Sequence, residues 1–197
     1  VGKKLANFHL ANKNNNLSSN NNFSIKFWKQ FFFENKQKFD DVIPSSFKTI
    51  KREIDFLCLN WPEKLPKGVI HADLFPDNVF FKNNKISGFL DFYFSCNDFL
   101  SYDLAVTANA WCFKKEKFNK EFFSSLLSGY QSIRKLEKLE KDNFNILLRG
   151  ASLRFLFTRI YDHINSQENK FLNKKNPDEF YKILNFHINN PQEAHVE

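Results

Sequence analysis

The run HADLFPDN, from His71 to Asn78, and the stretch ISGFLDF that closes on Asp91 constrain the fold more than any other part of the chain. Gly68-Val69-Ile70 reads as a short strand entering the run, Val79-Phe80-Phe81 as a second and Ile86 to Asp91 as a third. Lys82-Asn83-Asn84-Lys85 is the expected turn between the last two. With Leu74, Val79, Phe80 and Leu90 anchored in a core, the polar atoms of Asp73, Asn78 and Asp91 converge at one edge. Pro76 stiffens the loop, and Asp77 is expected to hydrogen-bond its backbone as an Asx turn.

Elsewhere the period is helical. Leu5, Phe8 and His9 mark a first helix, and the Asn/Ser tract from Asn12 to Asn22 favours turns, because its side chains compete for backbone hydrogen bonds. Ile25, Phe27, Trp28, Phe31, Phe32 and Phe39 form a wide stripe on a helix from Ser24 to about Lys38. A helix over about Ser45–Asn60 lies between Pro44 and Pro62. Further helices are predicted at about Asp98–Cys112, Asn119–Arg134, Lys141–Ile164 and Pro177–Asn189. One small hairpin surrounded by helices is an α+β pattern, and 197 residues with 42% hydrophobic content suffice for one core.

Composition excludes more than it selects. The 26 Phe against 5 Gly read as drift toward AT-rich codons. A formal charge of +7 is carried mostly by Lys interleaved with Asp and Glu, without an RNA-binding signature, a zinc-finger spacing or a basic zipper helix, so no nucleic-acid partner is expected. Cys58, Cys96 and Cys112 form no CxxC pair, which argues against a disulfide framework or a structural zinc and fits a reducing cytoplasm. No apolar stretch approaches the roughly 20 residues that span a bilayer, so no membrane partner is expected. The chain contains no Met and starts at Val1 inside a helical pattern, which predicts a piece of a longer protein, with N-terminal processing as the alternative.

The residue types around the loop suit phosphoryl transfer, which needs an oriented acceptor hydroxyl and a neutralised phosphate. Asp73 is the candidate catalytic base. Asn78 and Asp91 offer hard oxygens to Mg²⁺, as nucleotide-bound metal requires, and so form the candidate cofactor and metal site for ATP and Mg²⁺. The Asp73–Asn78 spacing equals that of the base and the metal-binding Asn in the protein-kinase catalytic loop. Each residue has a plainer reading, as turn cap or strand-end acid. His71 could orient the loop through its imidazole or be a satisfied core histidine. Asp103 could accept backbone N–H groups of the loop or be a simple first-turn acid.

These residues resemble the aminoglycoside phosphotransferase and choline kinase superfamily, whose C-terminal lobe carries an HxDLxxxN loop and a downstream metal-binding Asp. GVIHADLFPDNVFF, ISGFLDFYFSCNDFLSYDLAVTANAWCF and LLRGASLRFLFTRIYD are similar to the homoserine kinases of the aminoglycoside-phosphotransferase-like type, and GKKLANFHLA to the helix that follows the hinge between lobes. The resemblance implies the mostly helical C-terminal lobe of a protein-kinase-like fold over residues 1–197, with the nucleotide-covering N-terminal lobe upstream. It implies a cytoplasmic enzyme that makes O-phospho-L-homoserine from L-homoserine and ATP on the threonine route, with Asp73 as base and Asn78 and Asp91 on Mg²⁺. Phe92-Tyr93 after Asp91 departs from the protein-kinase Phe-Gly and gives no support for an activation switch.

The residues add a candidate acceptor pocket in Tyr93, Asp98, Tyr102 and Trp111, just past Asp91. Asp98 could take the acceptor's ammonium, and Arg154 or Arg159 could offer a fork to its carboxylate, unless these arginines are structural. A kinase of another small hydroxylated acceptor such as choline or an aminoglycoside, and a non-catalytic binding module on the same fold, remain the alternatives.

Overall fold

A computed structural model describes residues 1–13, 15, 19–165 and 175–196. The element order is α1 (Gly2–Ala11), α2 (Ile25–Asn35), α3 (Phe39–Val42), α4 (Phe47–Asn60), β1 (Lys67–Ile70), β2 (Val79–Lys82), β3 (Lys85–Phe89), β4 (Cys96–Phe99), α5 (Leu100–Trp111), β5 (Phe113–Lys114), β6 (Lys117–Phe118), α6 (Lys120–Gln131), α7 (Lys138–Asp142), α8 (Phe144–Asn165) and α9 (Pro177–Asn189). The strands form three two-stranded antiparallel sheets, so the α+β expectation holds with more strand than one hairpin.

Helix α8 is the spine of the core, with α5 and α9 packed along it. Leu147, Leu148, Leu153, Leu156, Phe157 and Ile160 are buried on several of its faces, so the helix is enclosed rather than amphipathic. Gly150 lets it pass close to two indoles, since a Cβ there would overlap Trp61 and approach Trp28 to 2.9 Å. Those two indoles meet edge to face with centroids 5.1 Å apart. Gly2 does the same for α1, whose backbone touches that of α6 at Leu126 and Tyr130.

A buried polar knot ties α5, α8 and α9. The Asn109 amide donates to Leu148 O at 2.9 Å and Ser152 Oγ at 3.0 Å, and its oxygen accepts from His187 Nε2 at 2.8 Å. Arg159 joins α8 to α9 through Asn176 O at 2.8 Å and Glu179 at 2.6 Å.

Three local expectations are corrected. Asp98 and Phe99, expected to open a helix, end a strand, Cys96–Phe99, that pairs with β1, Ile70 opposite Cys96 and Lys67 opposite Phe99, and the helix begins at Leu100. Phe113 to Phe118 makes a two-residue-strand hairpin between two helices. Residues 19–21 of the Asn/Ser tract are held against β4, with Asn97 N donating to Ser19 O at 2.7 Å and Asn21 to Asp98 at 2.8 Å; residues 14 and 16–18 of that tract lie outside the described residues. The turn Asn83-Asn84 is as expected, both residues having φ near +55° (51° and 58°) as a two-residue hairpin turn requires.

Candidate active site

Pairing of β1 with β4 sets the geometry. The chain leaves β1 at Ile70 directly into His71, while β4 runs into α5, so the first turn of α5 lies beneath the loop. Asp103 in that turn is fully buried and its carboxylate faces the loop. Oδ2 accepts from His71 N at 2.8 Å and Oδ1 from Ala72 N at 2.7 Å. The reading of Asp103 as a tie to the loop is therefore the structural one.

Ala72 has φ = 63°, a left-handed backbone that costs a non-glycine residue about 1–2 kcal/mol. Both its polar groups are gripped: N–H by Asp103 on α5, and C=O by Nη1 of Arg154 on α8. The kink turns the next residue, Asp73, outward to a half-buried position.

His71 is fully buried, with both ring nitrogens on backbone groups. Nε2 donates to Leu90 O at 2.8 Å, which leaves Nδ1 to accept from Asp73 N at 3.2 Å. The imidazole thus bridges the loop to the end of β3 and presents no free nitrogen to an acceptor.

Asn78 Nδ2 donates to Asp73 O at 2.7 Å and to Asp73 Oδ2 at 3.1 Å. Asn78 O in turn accepts from Leu90 N at 2.9 Å, so the residue before Asp91 is fastened opposite Asn78. Asp91 is exposed, with φ = 57°. The Oδ1 of Asn78 and the carboxylate of Asp91 take no hydrogen bond among the described residues. Both are hard oxygen donors, the type that suits a Mg²⁺ keeping most of its shell for water and phosphate, and the Leu90 N–H bond to Asn78 O ties their two segments together.

Burial raises the pKa of Asp73 above the ordinary carboxylate range, against opposing effects of Arg154, His71 and Lys175 and the Asn78 hydrogen bond. Burial acts on Asp103 in the same sense but is outweighed by the hydrogen bond and charge of His9 and by the His71 N–H, so its pKa lies below the usual value. His9 was not legible as part of the site. Its Nε2 meets Asp103 Oδ2 at 3.0 Å and its Nδ1 meets the Tyr130 hydroxyl at 2.7 Å. Arg134 donates to Tyr130 Oη at 3.3 Å and to both Glu140 oxygens at 3.0 Å, extending the chain of polar contacts to α7.

The expected acceptor residues part company. Tyr102 is buried, and Asp98 is half-buried with Oδ2 held by Asn21 and Oδ1 by Phe99 N at 2.8 Å. Burial, with Asp98 next, pushes the Cys96 thiol up to about 12. Tyr93 is 86% exposed, and the Trp111 indole N–H is engaged by Leu74 O at 2.9 Å beneath the loop. Arg159 is tied to Glu179, as above. Asp77 makes no Asx bond; its carboxylate reaches the exposed Lys175 at 3.3 Å. Leu74 and Val79 are buried as expected, but Phe80 and Leu90 are 57% and 39% exposed. Strand alternation places Phe80 on the opposite face of the hairpin from Val79. With Phe92 and Tyr93 they bare an apolar surface beside the loop.

Comparisons with known proteins show which sequences and folds this chain is similar to. The chain is 49% identical over 191 residues to a homoserine kinase of Bartonella tribocorum and 44% identical over 188 residues to one of Brucella anthropi. These alignments take in 96% and 95% of the chain but 60% and 58% of the relatives, so the chain spans about three-fifths of their length. Among solved structures, an amicoumacin kinase matches with a TM-score of 0.64 at 15% identity, over 100% of this chain and 59% of that one. A choline kinase from Cryptosporidium parvum matches with a TM-score of 0.62 at 14% identity, over 98% and 63%. Among the described residues no helix is long and apolar enough to cross a membrane. The model of the phosphotransferase enzyme family matches residues 1–136, which contain the whole loop, the hairpin, Asp91 and Asp103, and the chain belongs to that family.

Proposed function

We propose that this chain is the C-terminal, catalytic-loop lobe of an ATP-dependent kinase that phosphorylates the hydroxyl of L-homoserine, giving O-phospho-L-homoserine on the route to threonine. The observation that carries the reading is the hydrogen-bonded succession from Asp73 to Asn78 and from Asn78 to Leu90, the residue before Asp91, in a chain whose relatives at 44–49% identity are homoserine kinases.

Asp73 accepts the hydrogen bond of the acceptor hydroxyl and takes its proton as the oxygen bonds to phosphorus and ADP leaves. Its raised pKa makes it a stronger base than an ordinary aspartate. Asn78 fixes the carboxylate rotamer through Nδ2, and His71 and Asp103 hold the backbone on either side of Ala72. Asn78 Oδ1 and Asp91 would hold Mg²⁺, which when bound with ATP neutralises phosphate charge.

The nucleotide-covering N-terminal lobe is assigned to the part of the full-length protein beyond this chain. The supports are the three-fifths span of the relatives and the apolar surface of Phe80, Leu90, Phe92 and Tyr93, which such a lobe would cover. A sequence preceding Val1 that lacks a strand-rich stretch with a strand Lys would remove that assignment.

The test is ADP release by the full-length protein with ATP, Mg²⁺ and a panel of small amino alcohols. No L-homoserine-dependent release sinks the substrate, and full activity in Asp73→Asn sinks the mechanism.

A further inference from the structure

Arg154 is 2% exposed, yet no carboxylate lies within ion-pair distance of it among the described residues. A buried guanidinium without a counter-ion is costly, since burial removes its hydration and nothing ionic replaces it. Nη1 is engaged by Ala72 O. Nε is buried with no partner, and Nη2 donates to nothing among the described residues. Nε and Nη2 form one edge of the planar group, the edge that receives a carboxylate through two parallel hydrogen bonds.

A second orphaned polar atom belongs to the helix packed along α8: the Tyr102 hydroxyl of α5 is fully buried with no partner among the described residues, and Arg154 is the first charge to act on it. The Phe94 ring lies 5.3 Å from the guanidinium. Phe155 at 4.5 Å and Phe23 at 5.2 Å complete an aromatic surround. The residues Phe23 and Phe94 are themselves half-buried.

We infer that the Nε–Nη2 edge of Arg154, with the hydroxyl of Tyr102, is a carboxylate-binding subsite that selects acceptors carrying an α-carboxylate as well as the hydroxyl presented to Asp73. The inference rests on the kinase reading above and deepens it. It separates the two arginines of α8: Arg159 is neutralised by Glu179, and Arg154 is left for a ligand. The aromatic surround raises the strength of the contact by excluding water, and the orphaned Tyr102 hydroxyl discriminates against acceptors that leave it unpaired.

The experiment compares L-homoserine with 3-aminopropan-1-ol, which is the same molecule without its carboxylate, in the full-length protein and in Arg154→Met and Tyr102→Phe. The expected result is that the ratio of kcat/KM for L-homoserine to that for 3-aminopropan-1-ol falls about 100-fold in Arg154→Met and about 10-fold in Tyr102→Phe, as lost charge-assisted and neutral hydrogen bonds imply. Using the ratio cancels any effect of Arg154 on the Ala72 backbone, which both acceptors share. An equal fall for both acceptors overturns the subsite and leaves Arg154 structural. If Arg154→Met does not fold, Tyr102→Phe decides alone. Equal calorimetric affinity of the unmodified protein for the two compounds also overturns it, whatever the turnover. Turnover of a different carboxylate-bearing alcohol, lost in Arg154→Met, keeps the subsite and removes only homoserine. Turnover confined to acceptors without a carboxylate removes both.

Discussion

His9 Nε2 and Asp103 Oδ2 lie 3.0 Å apart, both side chains fully buried, although 94 residues separate them in the chain. The contact joins α1 to α5 at the point where Asp103 also receives two N–H groups of the loop. One carboxylate thus organises a helix contact and the backbone that presents Asp73.

Asp103→Asn replaces an acceptor of three hydrogen bonds by a group that must point a donor at one of them. Breaking a buried pair from one side costs about 3–5 kcal/mol, and the folded pKa of Asp103 is held below its unfolded value. That stability is complete above an unfolded Asp pKa of about 3.9 and is lost as pH falls through the folded pKa. Denaturant melts of the variant at pH 7 should show the deficit. Melts from pH 5 to pH 2 should show the unmodified protein converging on it.

Asp73→Asn should separate activity from stability. Loss of the base lowers kcat by about 10²–10⁴. Because burial raises the Asp73 pKa, the ionised group disfavours the folded state at neutral pH, and the amide removes that penalty. A higher Tm together with a collapsed kcat is the expected pair, read by calorimetry and a coupled ADP assay. The acid limb of the unmodified enzyme's kcat/KM profile should sit above an ordinary carboxylate value and vanish in the variant.

His187 contributes a second pH dependence. Burial first, and the charge of Arg149 second, push its pKa down to about 3, so the folded protein holds it neutral. The unfolded chain protonates near pH 6.5, and stability falls below that pH until the folded pKa is reached, at a slope of at most about 1.4 kcal/mol per unit. His187→Gln can still donate to Asn109 Oδ1 and does not titrate. Its unfolding free energy should be flatter between pH 6.5 and pH 4 than that of the unmodified protein.

Gly150→Ala is a packing test remote from the loop. The added methyl overlaps the Trp61 ring, and overpacking of this kind costs about 1–3 kcal/mol. Urea denaturation should report that loss, with tryptophan fluorescence altered in the folded baseline.

The loop and hairpin were legible because their signals are local: an apolar pair into a polar run, and Asn83-Asn84 at the two positions of a tight turn that need positive φ. Helix α9 was read to its ends, since Pro177 and the Asn176 cap mark its start. Strand β4 was not, because Cys96–Phe99 has no alternation of its own and becomes a strand only by pairing with β1. The site divides in the same way. The spacing of Asp73, Asn78 and Asp91 lies within one short segment, whereas the grip on Ala72 comes from residues 31 and 82 positions away. His9 carried a faint signal, a histidine on the buried stripe of Leu5 and Ala6. A polar group there demands a partner, but only the packing of α1 against α5 and α6 names it.

Ala72 makes competence the last property the chain acquires. Its left-handed backbone, costing about 1–2 kcal/mol, is offset by Asp103 on the N–H and Arg154 on the carbonyl, and those side chains stand on two different helices. The loop is therefore fully set only once α5 and α8 have docked. On gentle heating, turnover should vanish before the α5–α8 interface melts or together with it, never after.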